Sequence, residues 1–353
     1  MNHLSDWSLN CPIPISADAE RISLAHGEGA RLSRRLIAET ILPRVASAEH
    51  TAFADAARVT TIGCRLAICT DSHTVSPMFF PGGDLGSLSV FGTVNDLAVA
   101  GAYPRWLTLS LIIEEGLPKV ILETVLDSVA RAAWECRVAI VAGDTKVVPR
   151  GAVDGLFINT SGVGEIMDPA PPGPGAIRVG DKVLVSGPIG RHGIAVMSAR
   201  GGFLMDSASV SDSGSVFPVV SALRDAVGEH VRAIRDATRG GLSSVLQEWA
   251  EESGHSFALT EASLPVTDGV RGACELLGLD PLYVANEGTI VVAIDADYAQ
   301  SGVETMRRVA GCEQAAIIGE VQPAGISPVT IRRSVGPPRP LDEPSGAPLP
   351  RIC

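Results

Sequence analysis

Lysine is scarce in this chain. It occurs only at Lys119, Lys146 and Lys182, and none of the three follows a glycine. That excludes a Walker A phosphate loop. The sequence also lacks a G-x-G-x-x-G fingerprint, a G-x-S-x-G elbow and an H-E-x-x-H motif. The commonest dinucleotide, serine-hydrolase and zinc-protease devices are therefore absent. Positive charge is in deficit, with 28 Lys and Arg against 40 Asp and Glu and a formal net charge of -12. A protein that tracks a nucleic-acid backbone needs the opposite balance, so no nucleic-acid partner is expected. A nucleotide ligand, whose site is local, is still allowed. No charge-free run approaches the roughly 18 residues of a membrane-spanning helix. Asp6, Asp18 and Glu20 precede any apolar block, unlike a secretory signal. The expectation is a soluble, cytoplasmic protein with no membrane partner. Cysteines stand at 11, 64, 69, 136, 274, 312 and 353, an odd number without a C-x-x-C pair. Neither a disulfide framework nor a zinc cluster fits that spacing, and a reducing compartment does. Cys69, Cys136 and Cys274 lie in apolar stretches and read as core residues.

What is present is a chain of 353 residues, 46% hydrophobic, with Gly 37 and Pro 24. At roughly 150 residues per domain this suggests two domains. Residues 1–25 have no clear periodicity and read as an arm. Helical spacing runs over 29–41, 120–134, 242–252 and 298–309, and Asn95-Asp96 is expected to open a helix within 92–101. Apolar runs at 66–70, 107–113, 137–142, 156–163, 182–186 and 289–294 read as strands. Alternating strands and helices in both halves predict an α/β (α+β) class. Pro169, Pro171, Pro172 and Pro174, mixed with glycines, mark a boundary over 168–180. The division is then an N-terminal domain at 26–167, a C-terminal domain at 168–333 and a tail at 334–353. The tail holds Pro337, Pro338, Pro340, Pro344, Pro348 and Pro350. Proline blocks both helix and ladder, so the tail should be extended and weakly packed, reaching roughly 60 Å if fully polyproline-like. On composition it is either a plain terminus or a tether for the Cys353 thiol.

Four aspartates recur in one kind of setting. Asp71 follows an apolar run, Asp96 follows Asn95, Asp144 lies in Gly143-Asp144-Thr145-Lys146, and Asp236 in Asp236-Ala237-Thr238-Arg239-Gly240-Gly241. Each alone fits a helix cap or a turn. Gathered on one sheet face they would repel unless a hard cation such as Mg2+ joined them, and Mg2+ usually bridges to phosphate oxygens. Gly240-Gly241 before a helix leaves backbone N–H groups open to an anion. Lys146 could meet a phosphate or an ordinary carboxylate. Glu287, in Asn286-Glu287-Gly288, places a carboxyl group at a strand start.

These residues belong to a longer ordered set. It includes Thr70-Asp71-Ser72, Phe79-Phe80-Pro81-Gly82-Gly83, Gly92-Thr93-Val94-Asn95-Asp96, Phe157-Ile158-Asn159-Thr160, Ala285-Asn286-Glu287-Gly288 and the ending Pro350-Arg351-Ile352-Cys353. With them the chain resembles the HypE family of hydrogenase maturation proteins from about residue 26 onward. The resemblance implies the two-domain fold of aminoimidazole ribonucleotide synthetase, paired as a homodimer, with ATP bound near the interface. It implies an ATP-dependent carbamoyl dehydratase. HypF carbamoylates the cysteine corresponding to Cys353, ATP drives dehydration of the S-carboxamide to an S-cyanide, and the HypC–HypD complex accepts the cyanide for the iron of NiFe hydrogenase. Carried over by position, Asp71, Ser72, Asn95, Asp96, Asp144, Thr145, Lys146, Asp236, Thr238 and Gly240 contact ATP. Asp71, Asp96, Asp144 and Asp236 hold Mg2+, while Cys353, Lys146 and Glu287 are catalytic, Glu287 as base. One departure is the loop His26-Gly27-Glu28-Gly29-Ala30, where the family has His-Gly-Ser-Gly-Gly. Glu28 puts negative charge where phosphates are expected.

Overall fold

The computed structural model describes residues 31–41, 56–61, 63–201, 210–342 and 351–353. The arm, the loop at 26–30 and tail residues 343–350 lie outside the described residues.

The first half begins with helix α1 (Arg31–Leu36), which continues as a π-helical turn (Ile37–Ile41). It then runs β1 (Ala57–Thr61), β2 (Cys64–His73), the short pair β3 (Phe79–Phe80) and β4 (Gly83–Asp84), α2 (Leu85–Val99), β5 (Ala102–Glu114), α3 (Lys119–Glu135), β6 (Ala139–Val148) and β7 (Leu156–Ile166). Its main sheet is five-stranded, ordered β1-β2-β7-β5-β6. Only β5 and β6 pair in parallel. That pair needs a crossover, which α3 provides. Strand β7 alternates buried and partly exposed residues, with Leu156, Ile158, Thr160 and Gly162 inward. This period of two defines one face under α2 and α3 and one outer face.

Asn95-Asp96 does not open α2. The helix begins ten residues earlier, where the Asp84 side chain accepts from the N–H groups of Gly86 and Ser87 and Ser87 Oγ accepts from the Asp84 N–H. That reciprocal cap satisfies the free first-turn amides. Asn95 and Asp96 are thus interior helical positions. Likewise Asp71 and Asp144 lie inside β2 and β6, not past their ends.

The second half runs β8 (Lys182–Val185), α4 (Arg191–Gly201), α5 (Phe217–Val227), β9 (Val231–Asp236), α6 (Gly241–Ser253), β10 (Ser256–Thr260), α7 (Asp268–Leu277), β11 (Ile290–Ile294), α8 (Ala299–Met306), β12 (Ala316–Gln322), β13 (Val329–Arg332) and β14 (Arg339–Pro340). The sheet order is β14-β13-β10-β12-β8-β11-β9. Every residue of β11 is buried. Val291 and Ala293 face Leu242, Val245 and Trp249 of α6. Ile290, Val292 and Ile294 face Leu223 of α5 and Val303 of α8. An unbroken apolar run is what a strand covered on both faces requires.

The halves share their cores. Ala98 and Val99 of α2 join the α5–α8 cluster. Leu85 and Leu88 of α2 pack with Ile194 and Val196 of α4, Val270, Ala273 and Cys274 of α7, and Ile352. Asn95 ties the joint with hydrogen bonds. Its Nδ2 donates to the carbonyls of Gly214 and Glu287, both at 3.0 Å, and its Oδ1 accepts from the Val216 N–H at 2.8 Å.

Residues 334–340 and Asp342 of the tail are exposed, as its prolines led one to expect, whereas Leu341 and Ile352 are buried anchors. Arg339–Pro340 forms the edge strand, where a missing N–H is tolerated. Leu341 is buried in the α6 core, and its carbonyl accepts from Gln247. Ile352 is buried as well.

Asn95→Ala removes three buried hydrogen bonds and leaves two carbonyls and an N–H without partners. We expect it to lower stability by about 2–4 kcal/mol, measured as a shift in the urea midpoint at unchanged slope.

Candidate active site

Asp71, Asp236 and Glu287 come together where the two sheets meet. Asp236 ends β9 and is paired with Ile290 of β11, so the Asn286–Gly288 turn preceding β11 lies beside it. Asp71 arrives from β2 on the helix-covered face, in register with the buried Thr160. Burial pushes the Asp236 carboxyl up, and Asp71 adds to this against the pull of Arg235 and Arg239. Glu287 is only 3% exposed. Burial, then Asp236, Asp71 and Asp212, hold its carboxyl well above the usual range against Arg239. Its Oε1 accepts no hydrogen bond among the described residues.

The Glu287 turn is held from both sides. Asp212 Oδ1 accepts from the Glu287 N–H, and Oδ2 accepts from the Gly288 N–H, each at 3.1 Å. The Glu287 carbonyl accepts from Asn95. A Cβ on Gly288 would stand 1.8 Å from the Asp212 carbonyl oxygen, so only glycine fits. Asp212 carried no signal in the sequence. It sits in a serine-rich loop with no distinctive spacing.

His73, also unforeseen, is buried beside Asp71, with Nε2 3.4 Å from Oδ2. Burial lowers its pKa more than Asp71 raises it, and Arg239 lowers it further. Burial thus favours the neutral ring. A Cβ on Gly92 of α2 would lie 3.2 Å from Asp71 Oδ2. Asp96 is one turn further along that helix face.

Asp144 and Lys146 are elsewhere. Asp144 is in register with Ser110, which pairs with Asn159, which pairs with Ser72. That row is on the outer face of the sheet, opposite to Asp71. Lys146 Nζ donates to both carboxylate oxygens of Asp144, at 2.9 and 2.8 Å, in the open. Lys146 and the Thr145 N–H hold that carboxyl below its usual range. Within one chain the four aspartates therefore do not converge, because strand register sets Asp144 on the other side. Ser72 Oγ is on this outer face too, accepting from Asn159. Asn95 has both its donors committed to backbone carbonyls, so the expected phosphate contact would cost it a domain-joining bond.

At the N-terminus of α6, Gly240 and Gly241 adopt φ of 75° and 60°. A Cβ on Gly241 would lie 2.7 Å from the carbonyl oxygens of Leu282 and Val284. Among the described residues no side chain caps this helix, so the Leu242 and Ser243 N–H groups of its first turn remain available to an anion. Thr238 contributes its carbonyl to the Gly241 N–H. Arg239 sets a positive field over Asp236, Glu287 and His73. Open amides and a guanidinium beside uncompensated carboxylates suit a phosphate accompanied by a divalent cation. Among the described residues no group of three or more acidic, Cys or His side chains holds metal geometry. The Asp71–Asp236 pair is what one chain supplies.

Cys353 reaches this place. The Thr74 N–H and Oγ1 donate to its carbonyl at 3.0 and 3.3 Å. The Ser76 N–H donates to the Arg351 carbonyl at 3.3 Å, so residues 351–353 extend the end of β2 like an antiparallel strand. Arg351 donates to the Thr74 carbonyl and to Asp154, and its guanidinium lies over the Phe157 ring. Arg200 donates to the Arg351 and Ser76 carbonyls. Cys353 thus stands next to the strand that carries Asp71 and His73.

Two families of AIR synthase related proteins match the chain, the N-terminal domain over residues 54–166 and the C-terminal domain over 178–331. Carbamoyl dehydratase HypE of Escherichia coli K12 is 44% identical over 337 residues, spanning 94% of this chain and 99% of that protein. The HypE of Cupriavidus necator is 44% identical over 349 residues, 96% and 97% of the two chains. The chain belongs to the HypE family. A crystal structure of a HypE–HypF complex contains a chain superposing with a TM-score of 0.82 at 43% identity, over 88% of this chain and 99% of that one. A HypE solved in complex with ATP gives 0.78 at 43% identity, over 94% and 100%. Thiamine monophosphate kinase of Aquifex aeolicus, at 19% identity and a TM-score of 0.62, shares the fold. The HypE resemblance read from the ordered motifs and the two-domain α/β architecture both hold.

An acid whose folded-state pKa is raised binds more protons folded than unfolded. Its contribution is present below the unfolded value and lost as pH rises toward the folded one. Glu287→Gln should therefore remove a fall in stability that the parent shows as pH climbs above about 4.5. Thermal melts at acidic and neutral pH read the difference. An identical pH dependence in both proteins would contradict a buried, elevated Glu287.

Proposed function

We propose that this chain uses ATP to dehydrate an S-carboxamide on Cys353 to an S-cyanide, supplying the cyanide ligand for NiFe hydrogenase iron. The seating of Cys353 against Thr74, directly after the strand that carries Asp71 and His73, carries the reading. In balance, the S-carboxamide and ATP give the S-cyanide, ADP and phosphate. The carboxamide oxygen leaves with the transferred phosphoryl group, and both amide protons are lost. Making the oxygen a phosphate turns a poor leaving group into a good one.

The side chains divide this work. The first-turn amides of α6, with Gly240 and Thr238 in its approach, bind phosphate, and Arg239 neutralises charge. Asp71 and Asp236, with Asp96 one helical turn from Gly92, would hold Mg2+, which supplies charge neutralisation during phosphoryl transfer. Glu287 takes protons from the carboxamide nitrogen. Its elevated pKa brings a carboxylate closer to neutral pH, where a general base is most effective.

Asp144, Thr145 and Lys146 act across a homodimer. The outer face of the five-stranded sheet exposes Ile68, Trp106 and Ile112, and Trp106 is 44% exposed. Pairing two such faces would bury them and carry the Asp144–Lys146 pair of one subunit toward the nucleotide of the other. HypF would load Cys353 with the carbamoyl group, and the HypC–HypD complex would take the cyanide. The setting is cytoplasmic. No described cysteine is in a disulfide, and no described helix is long and apolar enough to cross a membrane.

Incubated with HypF, carbamoyl phosphate and ATP, the peptide ending in Cys353 should gain a carbamoyl group and then lose one water by mass spectrometry. Cys353→Ala should abolish both changes. A carbamoyl adduct that persists in the presence of ATP and Mg2+ would overturn the reading.

A further inference from the structure

His192, at the start of α4, is absent from the roles assigned above. It is fully buried, with its ring edge-on to Phe80 at 5.3 Å. Its Nε2 lies 2.8 Å from the Ile352 carbonyl oxygen, and its Nδ1 lies 2.9 Å from Ser211 Oγ. A carbonyl can only accept, so Nε2 bears the proton. Nδ1 of the neutral ring must then accept from the Ser211 hydroxyl. Ser211 Oγ in turn accepts from the Ser213 N–H at 2.9 Å, so every member of the chain has a fixed direction. The charged groups facing the ring are Asp212 and Glu287, the latter with Oε1 4.0 Å from Nε2.

We propose that His192 is the positioning residue that seats Cys353, by donating its Nε2 hydrogen to the peptide carbonyl immediately before that cysteine. The proposal rests on the reading of Cys353 as carrier and specifies how the carrier is placed. A side-chain donor on the Ile352 carbonyl fixes the rotation of the last peptide unit, whose flanking Cys353 and Arg351 carbonyls are gripped by Thr74, Ser76 and Arg200. It also joins the tail to the base. Ser211 adjoins Asp212, which holds the Glu287 and Gly288 N–H groups. When the tail departs, the buried Nε2–H loses its acceptor, and the Glu287 carboxylate is the next one within reach. Seating the tail therefore frees Glu287 from this donor as the cysteine arrives.

The test uses the full chain without ATP. Iodoacetamide labelling of Cys353 is followed by mass spectrometry of the terminal peptide, with exposed Cys64 as internal standard. Burial pushes the Cys136, Cys274 and Cys312 thiols up to about 11, which keeps them slow. His192→Ala should speed Cys353 labelling on the order of tenfold, the effect of one buried hydrogen bond on a seating equilibrium. His192→Gln, which retains an N–H donor, should restore protection. Unchanged Cys353 labelling in a folded His192→Ala protein would overturn the proposal. If that variant fails to fold, the nitrogen-15 spectrum of the parent decides, since a proton on Nδ1 instead of Nε2 would equally overturn it. Labelling does not depend on chemistry. Lost protection in His192→Ala with no water loss in the parent would reject the dehydratase reading and keep the seating role.

Discussion

A carboxyl group removed from water is expensive to ionise, and Glu287 is buried among Asp71, Asp212 and Asp236. The surrounding architecture manages that burden. The turn bearing Glu287 is not free to rotate its side chain toward solvent, because Asp212 and Asn95 fix its backbone from opposite sides. Gly288 must be glycine for Asp212 to come so close. The positive end of α6 and Arg239 limit the accumulated negative potential without neutralising it. What remains is a pocket of unmet electrostatic demand, the usual mark of a place where charge is exchanged.

The terminal segment completes that place from a second direction. Arg351 is clamped by Asp154 and the Thr74 carbonyl, Ile352 is buried among residues from both halves, and Cys353 meets Thr74. The specificity of this seat lies in the two residues before the cysteine. One supplies a forked cation and the other an apolar plug, so the thiol itself need not be recognised by its chemistry. Chemical change at the sulfur would leave that grip unaltered.

Much of the framework was legible in the sequence. The periodicities at 120–134, 182–186, 242–252 and 289–294 correspond closely to α3, β8, α6 and β11. Each has either a wide amphipathic stripe or a short, fully apolar run. The ordered motifs were legible too, since they gave the family. The failures share a physical cause. Whether Asp71 and Asp144 face each other depends on strand register across β7 and β5, and no local pattern encodes that. Asn95-Asp96 looked like a helix start because those residues favour caps, but the real cap, Asp84, lies a helix length upstream. Asn95 is instead spent on partners more than a hundred residues away. Asp212 and His192 likewise matter through partners that lie outside their local sequence. Pro337, Pro338 and Pro340 lie outside any helix, yet they say nothing about burial, which Leu341 and Ile352 decide.

The joint between the halves restricts how this molecule can move. Asn95 is rooted in α2, and its side-chain amide grips the turn that carries Glu287 as well as the loop ahead of α5. Ala98 and Val99 of the same helix are buried in the opposite half. A hinge opening between the two sheets would tear both at once. The scaffold is therefore a stationary anvil, on which both halves keep their places.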